Sequence, residues 1–170
     1  MINKSVVIVI AAKDFNEQEY LTAKYLFEKH AIKVFVSSDS NSLCIGENGT
    51  KVRADVSFYN VHDNNFAAIL IIGGKGIRNY WRNQNLIRII QKFSKSNKII
   101  AAICAAPICL ANAGVLSKAT CFEGDKIQFE KLGVEYIDEN IVQTGQILTA
   151  KNQNYISELV EKIIFLISRT

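Results

Sequence analysis

The apolar residues of this chain fall into short continuous runs, separated by segments in which they recur every three or four positions. Continuous runs rich in Val and Ile predict buried β-strands, and the periodic segments predict helices that bury one face. Strands are expected at residues 5–11, 32–36, 66–72, 98–104, 118–122 and 134–137, with a hairpin near 141–149. Helices are expected at residues 16–30, 85–93, 107–114 and 155–167.

This alternation of strands and helices predicts an α/β fold, a mostly parallel sheet with helices on both faces. The chain has 170 residues, which suits a single domain spanning residues 1–170. In open parallel sheets the binding site lies at the carboxyl ends of the strands. Three strand ends are therefore of interest, near Ala11, Ile72 and Cys104.

Composition and charge exclude several classes of function. The net charge of +4 is mild and the basic residues are interspersed with acidic ones, so we expect no nucleic-acid partner. The longest apolar runs, 66–72 and 98–107, are shorter than the ~20 residues of a membrane span, and no signal peptide is recognisable. We therefore expect a cytoplasmic protein without a membrane partner. The four cysteines form no CxxC pair, and with only His30 and His62 beside them we expect reduced thiols and no metal site.

The segment around Cys104 carries the strongest chemical signal. Cys104 follows a predicted buried strand and precedes two alanines and Pro107, the one proline of the chain. Proline suits the first turn of a helix, so Cys104 is expected on a sharp strand-to-helix turn, as in a nucleophile elbow. Free N–H groups and the positive end of the helix dipole would favour the thiolate, the reactive form. The alternative is a small buried hydrophobic residue, the commonest state of a free cysteine.

The other two strand ends carry different chemistry. Gly73 and Gly74 allow close backbone approach and offer N–H groups for an oxyanion. After the first strand, Asp14, Glu17 and Glu19 would repel a phosphate, so no flavin or nucleotide cofactor is expected. One of the two glutamates could face the cysteine, and the other is expected on the surface near the helix start. Three basic side chains follow Gly74 and could rim the site and attract an anionic substrate, although we expect them to be solvated: Lys75, Arg78 and Arg82.

Together these segments resemble the ThiJ/PfpI superfamily, which includes the parkinsonism-associated deglycase and the PfpI intracellular proteases. The resemblance rests on KDFNEQE, ILIIGG, AAICAAPICLANAGVLSKAT and QILTAKNQNYISELVEKII, so it covers essentially the whole chain. It implies a flavodoxin-like three-layer sandwich, a homodimer and no cofactor. It also implies that Cys104 is the nucleophile and Glu19 a buried, protonated partner of its sulfur. The implied backbone donors are Gly73, Gly74 and Ala105.

The chain departs from this superfamily where histidines are usual. Ala105 stands where many PfpI-type proteins have a histidine, and Phe122 where the deglycase-like branch has one. Ala106 replaces the usual glycine, and neither His30 nor His62 is expected to reach Cys104. A Cys-His-Glu hydrolase triad is therefore not visible.

Three functions remain open from the sequence. In the first, Cys104 attacks a small reactive carbonyl and Glu19 moves the proton, as in a glyoxalase or deglycase. In the second, the protein is a redox-sensing stress protein in which Cys104 is oxidised. A PfpI-like cysteine hydrolase is the third.

Overall fold

The computed structural model describes residues 4–40 and 42–170 and contains a central sheet of seven strands. Their order across the sheet is β11-β12-β8-β7-β1-β3-β6, and each neighbouring pair is parallel except the β11–β12 hairpin. In chain order these strands are β1 (Ser5–Val9), β3 (Lys33–Ser38), β6 (Val56–Ser57), β7 (Ala68–Ile71), β8 (Ile99–Ile103), β11 (Ile141–Thr144) and β12 (Ile147–Ala150).

Five α-helices accompany the sheet in the part of the chain that the structure describes, and four of them cover its two faces. The helices are α1 (Glu17–Lys29), α2 (Gln84–Lys95), α3 (Pro107–Asn112), α4 (Lys126–Lys131) and α5 (Ile156–Ser168). Because side chains alternate along a strand, Val6 and Ile8 pack with α1 and α5, whereas Val7 and Val9 pack with α2 and α3. The result is a three-layer sandwich, as predicted, with an apolar core on each face of the sheet and a third, smaller cluster around Phe129.

The parallel strands follow the flavodoxin-like order. Across the sheet, the five main parallel strands lie in the order β3-β1-β7-β8-β12. Numbered along the chain, this is the order 2-1-3-4-5. This order places a topological switch point between β1 and β7, where open α/β sheets bind ligands. The predicted fold class is confirmed.

Two short sheets were not predicted as such. β2 (Lys13–Phe15), β4 (Leu43–Gly46) and β5 (Lys51–Arg53) form one, and β9 (Lys118–Ala119) pairs with β10 (Glu135–Tyr136) in the other. The predicted strand at 118–122 is thus shorter than expected, because the chain turns toward the cysteine elbow after Ala119. None of the helices in the described residues combines the length and apolar character that a membrane span requires.

Candidate active site

Cys104 lies on a sharp turn directly after β8. Its φ angle is +63°, a left-handed conformation that is uncommon for a residue other than glycine. Ala106 N–H donates to the Ile103 carbonyl at 3.0 Å, which closes the turn, and Pro107 begins α3. The predicted elbow geometry is confirmed.

Three contacts from other segments hold this elbow in place. Cys104 N–H donates to the Ala150 carbonyl at 3.0 Å, and Phe122 N–H donates to the Cys104 carbonyl at 2.7 Å. The indole N–H of Trp81 donates to the Ala105 carbonyl at 2.8 Å. Because the surrounding structure fixes both sides of the turn, the strained conformation of Cys104 can persist.

Glu19 is a fully buried carboxyl group on the first turn of α1. Its Oε1 accepts a hydrogen bond from Gly73 N–H at 2.8 Å, and its Oε2 has no partner within residues 4–40 and 42–170. Burial raises the pKa of Glu19 to about 8, the negative charge of Glu47 adds to the rise, and the Gly73 bond opposes it. The group is therefore mostly protonated at neutral pH. Within the described residues its carboxyl group makes no hydrogen bond to the sulfur of Cys104, which corrects the expected direct contact.

Gly73 brings Cys104 and Glu19 together. A Cβ atom placed on Gly73 would lie 2.7 Å from Cys104 Cβ and 2.9 Å from Glu19 Oε1. No side chain fits at this position, so only glycine lets the thiol and the carboxyl group share the space above it. The Gly73 N–H is already used by Glu19, which corrects the expectation that it serves as an oxyanion donor.

Gly74 sits in a loop that is tightly packed against the segment before α1. Its φ angle is +105°, and a Cβ atom there would lie 2.6 Å from both Asn16 N and Asp14 O. Asn16 N–H also donates to the Gly73 carbonyl at 3.0 Å, while the Asn16 side chain caps α1 by accepting from Glu19 N–H at 2.9 Å. One asparagine therefore positions both the glycine loop and the glutamate.

The thiol of Cys104 is less acidic than the sequence suggested. Burial raises the pKa of Cys104 to about 12, and a negative charge on Glu19 contributes further; the N–H groups of Ala105 and Gly74 and the charge of Arg78 oppose the rise. The predicted stabilisation by backbone N–H groups is thus present but outweighed by desolvation. When Glu19 is protonated, its share of the rise disappears, so the two groups are coupled.

The sulfur opens into a cleft of about 460 Å³. Lys75 and Arg78 border it, so two of the three basic side chains belong to the site rather than to open surface. Arg82 lines a neighbouring hollow that Arg78 also borders. The other lining residues are Asn16, Glu47, Gly74, Phe122, Asn152 and Gln153. The cleft is large enough for a small organic molecule next to Cys104.

Glu17 serves a different purpose from Glu19. It is also buried, and its carboxylate accepts hydrogen bonds from the backbone of Asn48 and Thr50 and from the Thr50 hydroxyl. The Thr50 bond lowers the pKa of Glu17. Glu17 is therefore a charged anchor for the β4–β5 turn, not the surface residue expected from its place in the helix.

The remaining candidate side chains do not line the cleft. Cys44, Cys109 and Cys121 are buried. His30 Nδ1 lies 2.9 Å from the Leu26 carbonyl at the end of α1, and His62 borders another hollow. Within the described residues, no histidine lines the cleft and no three side chains are grouped as metal ligands.

Sequence reasoning missed the ion pair at the rim of the cleft. Arg78 Nη2 donates to Asp125 Oδ2 at 2.9 Å, and its Nε donates to Asp125 Oδ1 at 3.3 Å. The guanidinium carbon lies 5.7 Å from the centre of the Phe122 ring. The residues are 47 positions apart, so no local pattern could have linked them.

Comparison with known proteins gives consistent matches over nearly the whole chain. The family model described as DJ-1/PfpI family matches residues 4–165. An uncharacterized protein of Methanocaldococcus jannaschii is 36% identical over 160 residues, covering 91% of this chain and 78% of that protein. The deglycase PfpI of Pyrococcus furiosus is 26% identical over 148 residues, covering 86% of this chain and 89% of that protein.

Two further matches extend this picture. A glutathione-independent glyoxalase of Caenorhabditis elegans, DJR-1.2, is 26% identical over 162 residues, covering 95% of this chain and 87% of that protein. The crystal structure of a ThiJ/PfpI domain protein from Brachyspira murdochii superposes with a TM-score of 0.94 at 24% identity, covering 98% of this chain and 97% of that one. This last match concerns the fold alone.

Proposed function

This chain belongs to the DJ-1/PfpI family, and we propose that it is a cofactor-independent enzyme acting on small reactive carbonyl compounds. In this proposal Cys104 is the nucleophile and Glu19 the proton shuttle. The observation that carries it is the buried, mostly protonated Glu19 packed beside the Cys104 thiol at the base of a cleft. A carboxyl group whose pKa lies near neutrality is suited to both accept and donate a proton.

The reaction would proceed through covalent addition to a 2-oxoaldehyde such as methylglyoxal. The sulfur bonds to the aldehyde carbon as its proton passes to the carbonyl oxygen, which gives a hemithioacetal. The ionised form of Glu19, the minority form at neutral pH, then accepts the proton on that carbon and returns it to the neighbouring carbon, while the hydroxyl proton of the hemithioacetal passes to the ketone oxygen. The product is a thioester, which water hydrolyses to lactate and a proton with release of the thiol. The aldehyde carbon is oxidised and the ketone carbon reduced, so no external oxidant is needed.

The N–H groups nearest the sulfur would stabilise charge during this reaction. Those of Gly74 and Ala105 are close enough to the thiol to lower its pKa. The same two donors are suited to an oxyanion that forms on the carbon bonded to sulfur. Ala105 thus keeps the donor function implied by the family resemblance, together with Gly74 rather than Gly73.

The names of two relatives support this class of reaction. One is called a deglycase and another a glutathione-independent glyoxalase, and both activities concern reactive carbonyl chemistry. The lack of a histidine among the cleft residues predicts a slow enzyme, because acid–base assistance of this kind is worth about 10²–10⁴-fold. The same feature disfavours the PfpI-like hydrolase, since no described side chain could serve as the histidine of a triad.

The redox-sensing alternative rests on one observation. Of the four thiols, Cys104 is the one that borders the cleft, while the other three are buried. Peroxide would convert its thiol to a sulfenic acid and release water. Its raised pKa favours slow oxidation, because the thiolate is the form that reacts. We further expect a homodimer, as the family resemblance implies, and a cytoplasmic location, as expected from the sequence.

Turnover of methylglyoxal without any added cofactor tests the proposal. Loss of the dicarbonyl and formation of lactate should proceed together, and Cys104→Ala should abolish both. Cys44→Ala, which removes a buried thiol outside the cleft, should leave the rate unchanged. Loss without lactate would indicate adduct formation only, and turnover by Cys104→Ala would refute the role of the thiol. If methylglyoxal is not turned over and peroxide oxidises Cys104 rapidly, the redox function is favoured.

A further inference from the structure

Arg78 is held in one orientation at the rim of the cleft by a buried acid. Its Nε and Nη2 groups both bond to the Asp125 carboxylate, which is only 10% exposed. A two-point contact of this kind fixes the plane of the guanidinium group as well as its position. The arginine side chain itself remains 35% exposed, so the group is oriented but still accessible.

The pairing with Asp125 leaves the other end of the guanidinium group free. An arginine has five N–H donors, and the side-on contact with Asp125 occupies two of them. Asp125 is the one acceptor recorded for the Arg78 guanidinium among residues 4–40 and 42–170. The three remaining N–H groups include the pair at the tip, which matches the two oxygens of a second carboxylate.

Arg78 is also close to the reacting sulfur. It lines the same cleft as Cys104, and it lies over the ring of Phe122, whose backbone N–H bonds to the Cys104 carbonyl at 2.7 Å. Its positive charge is near enough to lower the pKa of the thiol. A ligand group held by Arg78 would therefore sit a few atoms from the bond that forms at sulfur.

The other charged side chains of the cleft oppose one another. Lys75 carries a positive charge and Glu47 a negative one. The two residues are neighbours, because the Lys75 backbone N–H donates to Glu47 Oε1 at 2.9 Å. The net charge of this pair is zero. Any preference for an anionic ligand then depends on the directed donors of Arg78, not on a general positive potential.

We propose that Arg78 is the anion-recognising residue of this cleft and that the preferred substrates are 2-oxoaldehydes carrying a carboxylate. This inference rests on the proposed function for the reacting end of the substrate, while the anion contact is a separate property of the site. The chemistry at sulfur is unchanged: addition, proton transfer by Glu19 and hydrolysis give a 2-hydroxy acid with a second carboxylate. Neutral methylglyoxal would react by the same steps without the anchoring contact.

Two alkylating agents of similar size test the anion contact without requiring turnover. Iodoacetate carries a carboxylate and iodoacetamide a neutral amide, and both form a carbon–sulfur bond with release of iodide. Their rates of reaction at Cys104 are measured by peptide mapping. A change in the thiol pKa alters both rates equally, so it cancels in the ratio of the two rates. Arg78→Met should lower the iodoacetate-to-iodoacetamide ratio about fivefold, as expected for a partly exposed ion pair. Arg82→Met, outside the cleft, should leave it unchanged.

A second variant guards against a folding defect. Arg78→Met alone leaves the buried Asp125 without its partner, so Arg78→Met combined with Asp125→Asn removes both charges. The ratio should fall by the same factor in this double variant. A ratio that stays at the wild-type value in the double variant, or falls equally in Arg82→Met, would overturn the inference.

A substrate pair separates this inference from the proposed function. The wild-type protein should have a higher kcat/KM for 4,5-dioxopentanoate than for methylglyoxal, and Arg78→Met should remove the difference. Turnover of both compounds with no preference would refute anion recognition while leaving the proposed function intact. If neither compound is turned over but the ratio of alkylation rates still depends on Arg78, the proposed enzymatic function is refuted and the anion contact is supported.

Discussion

The backbone N–H of Gly73 donates to Oε1 of Glu19 across 2.8 Å, joining the end of β7 to the first turn of α1. Glutamine at position 19 can keep this acceptor but cannot exchange a proton. Glu19→Gln should therefore reduce dicarbonyl turnover by about 10²–10⁴-fold, measured by lactate formation. Glu17→Gln is the matched control. It should lower the melting temperature, because it weakens the bonds that hold the β4–β5 turn, and it should retain activity. Equal losses in the two variants would contradict a special function of Glu19.

The same carboxyl group should make folding stability depend on pH. Below about pH 4.5 it is protonated in the folded and unfolded chains alike. Between there and about pH 8 the unfolded chain releases the proton while the folded one keeps it, so stability falls as pH rises. The slope for this one group is at most about 1.4 kcal/mol per pH unit. Urea unfolding at several pH values should show this contribution in the wild type and not in Glu19→Gln.

Cys104 should be the first cysteine to be alkylated, and its reaction should accelerate with pH. It borders the cleft while the other three thiols are buried. Because its pKa is raised to about 12, the reactive thiolate is scarce at neutral pH. The rate with iodoacetamide should rise throughout pH 7 to 9 but by less than tenfold per pH unit, because ionisation of Glu19 near pH 8 raises the thiol pKa further. Earlier modification of Cys44 or Cys121, or a rate that levels off below pH 8, would contradict this prediction.

Gly73→Ala should disrupt the site more than the fold. The new methyl group would overlap Cys104 Cβ and Glu19 Oε1, which forces the thiol and the carboxyl group apart. We expect a loss of about 1–3 kcal/mol in stability, as for other overpacked cores, and loss of lactate formation. Gly133→Ala provides the comparison, because its φ of +72° makes alanine costly although no atom lies within 4 Å. It should cost about 1 kcal/mol and keep full activity.

The protein should form at least a dimer in solution. The family resemblance implies this, and several large apolar side chains are exposed in the single chain: Leu21, Tyr25, Leu43, Ile45 and Phe165. Light scattering at micromolar concentration should give at least twice the 19.0 kDa chain mass. A monomer mass under these conditions would contradict the expectation.

The central fold was predictable because its signals are local. β1 and β8 are continuous apolar runs, and α2 has buried residues at helical spacing behind the capping side chain of Asn83. The β2-β4-β5 sheet was not found because its strands are short and partly exposed. β4 buries Cys44 and Gly46 and exposes Leu43 and Ile45, so it contains no continuous buried run.

The candidate site was predictable in its members but not in its energetics. Cys104, Glu19 and Gly74 were identified from strand ends and the family resemblance, and the structure brings them together. The sequence could not reveal that burial would outweigh the backbone N–H groups at the thiol, since desolvation depends on the packing of distant segments. It also could not reveal that Gly73 N–H is occupied by Glu19, or that Arg78 is fixed by Asp125.

The left-handed backbone conformation of Cys104 lowers the stability of the folded protein. A residue with a Cβ atom at φ +63° costs roughly 1–2 kcal/mol, which glycine would not incur. Cys104→Gly should therefore unfold at a higher temperature than Cys104→Ala, since alanine keeps the strain and loses the sulfur. Relief of this backbone strain and retention of a thiol at position 104 are therefore incompatible, because glycine, which adopts this conformation without cost, carries no side chain.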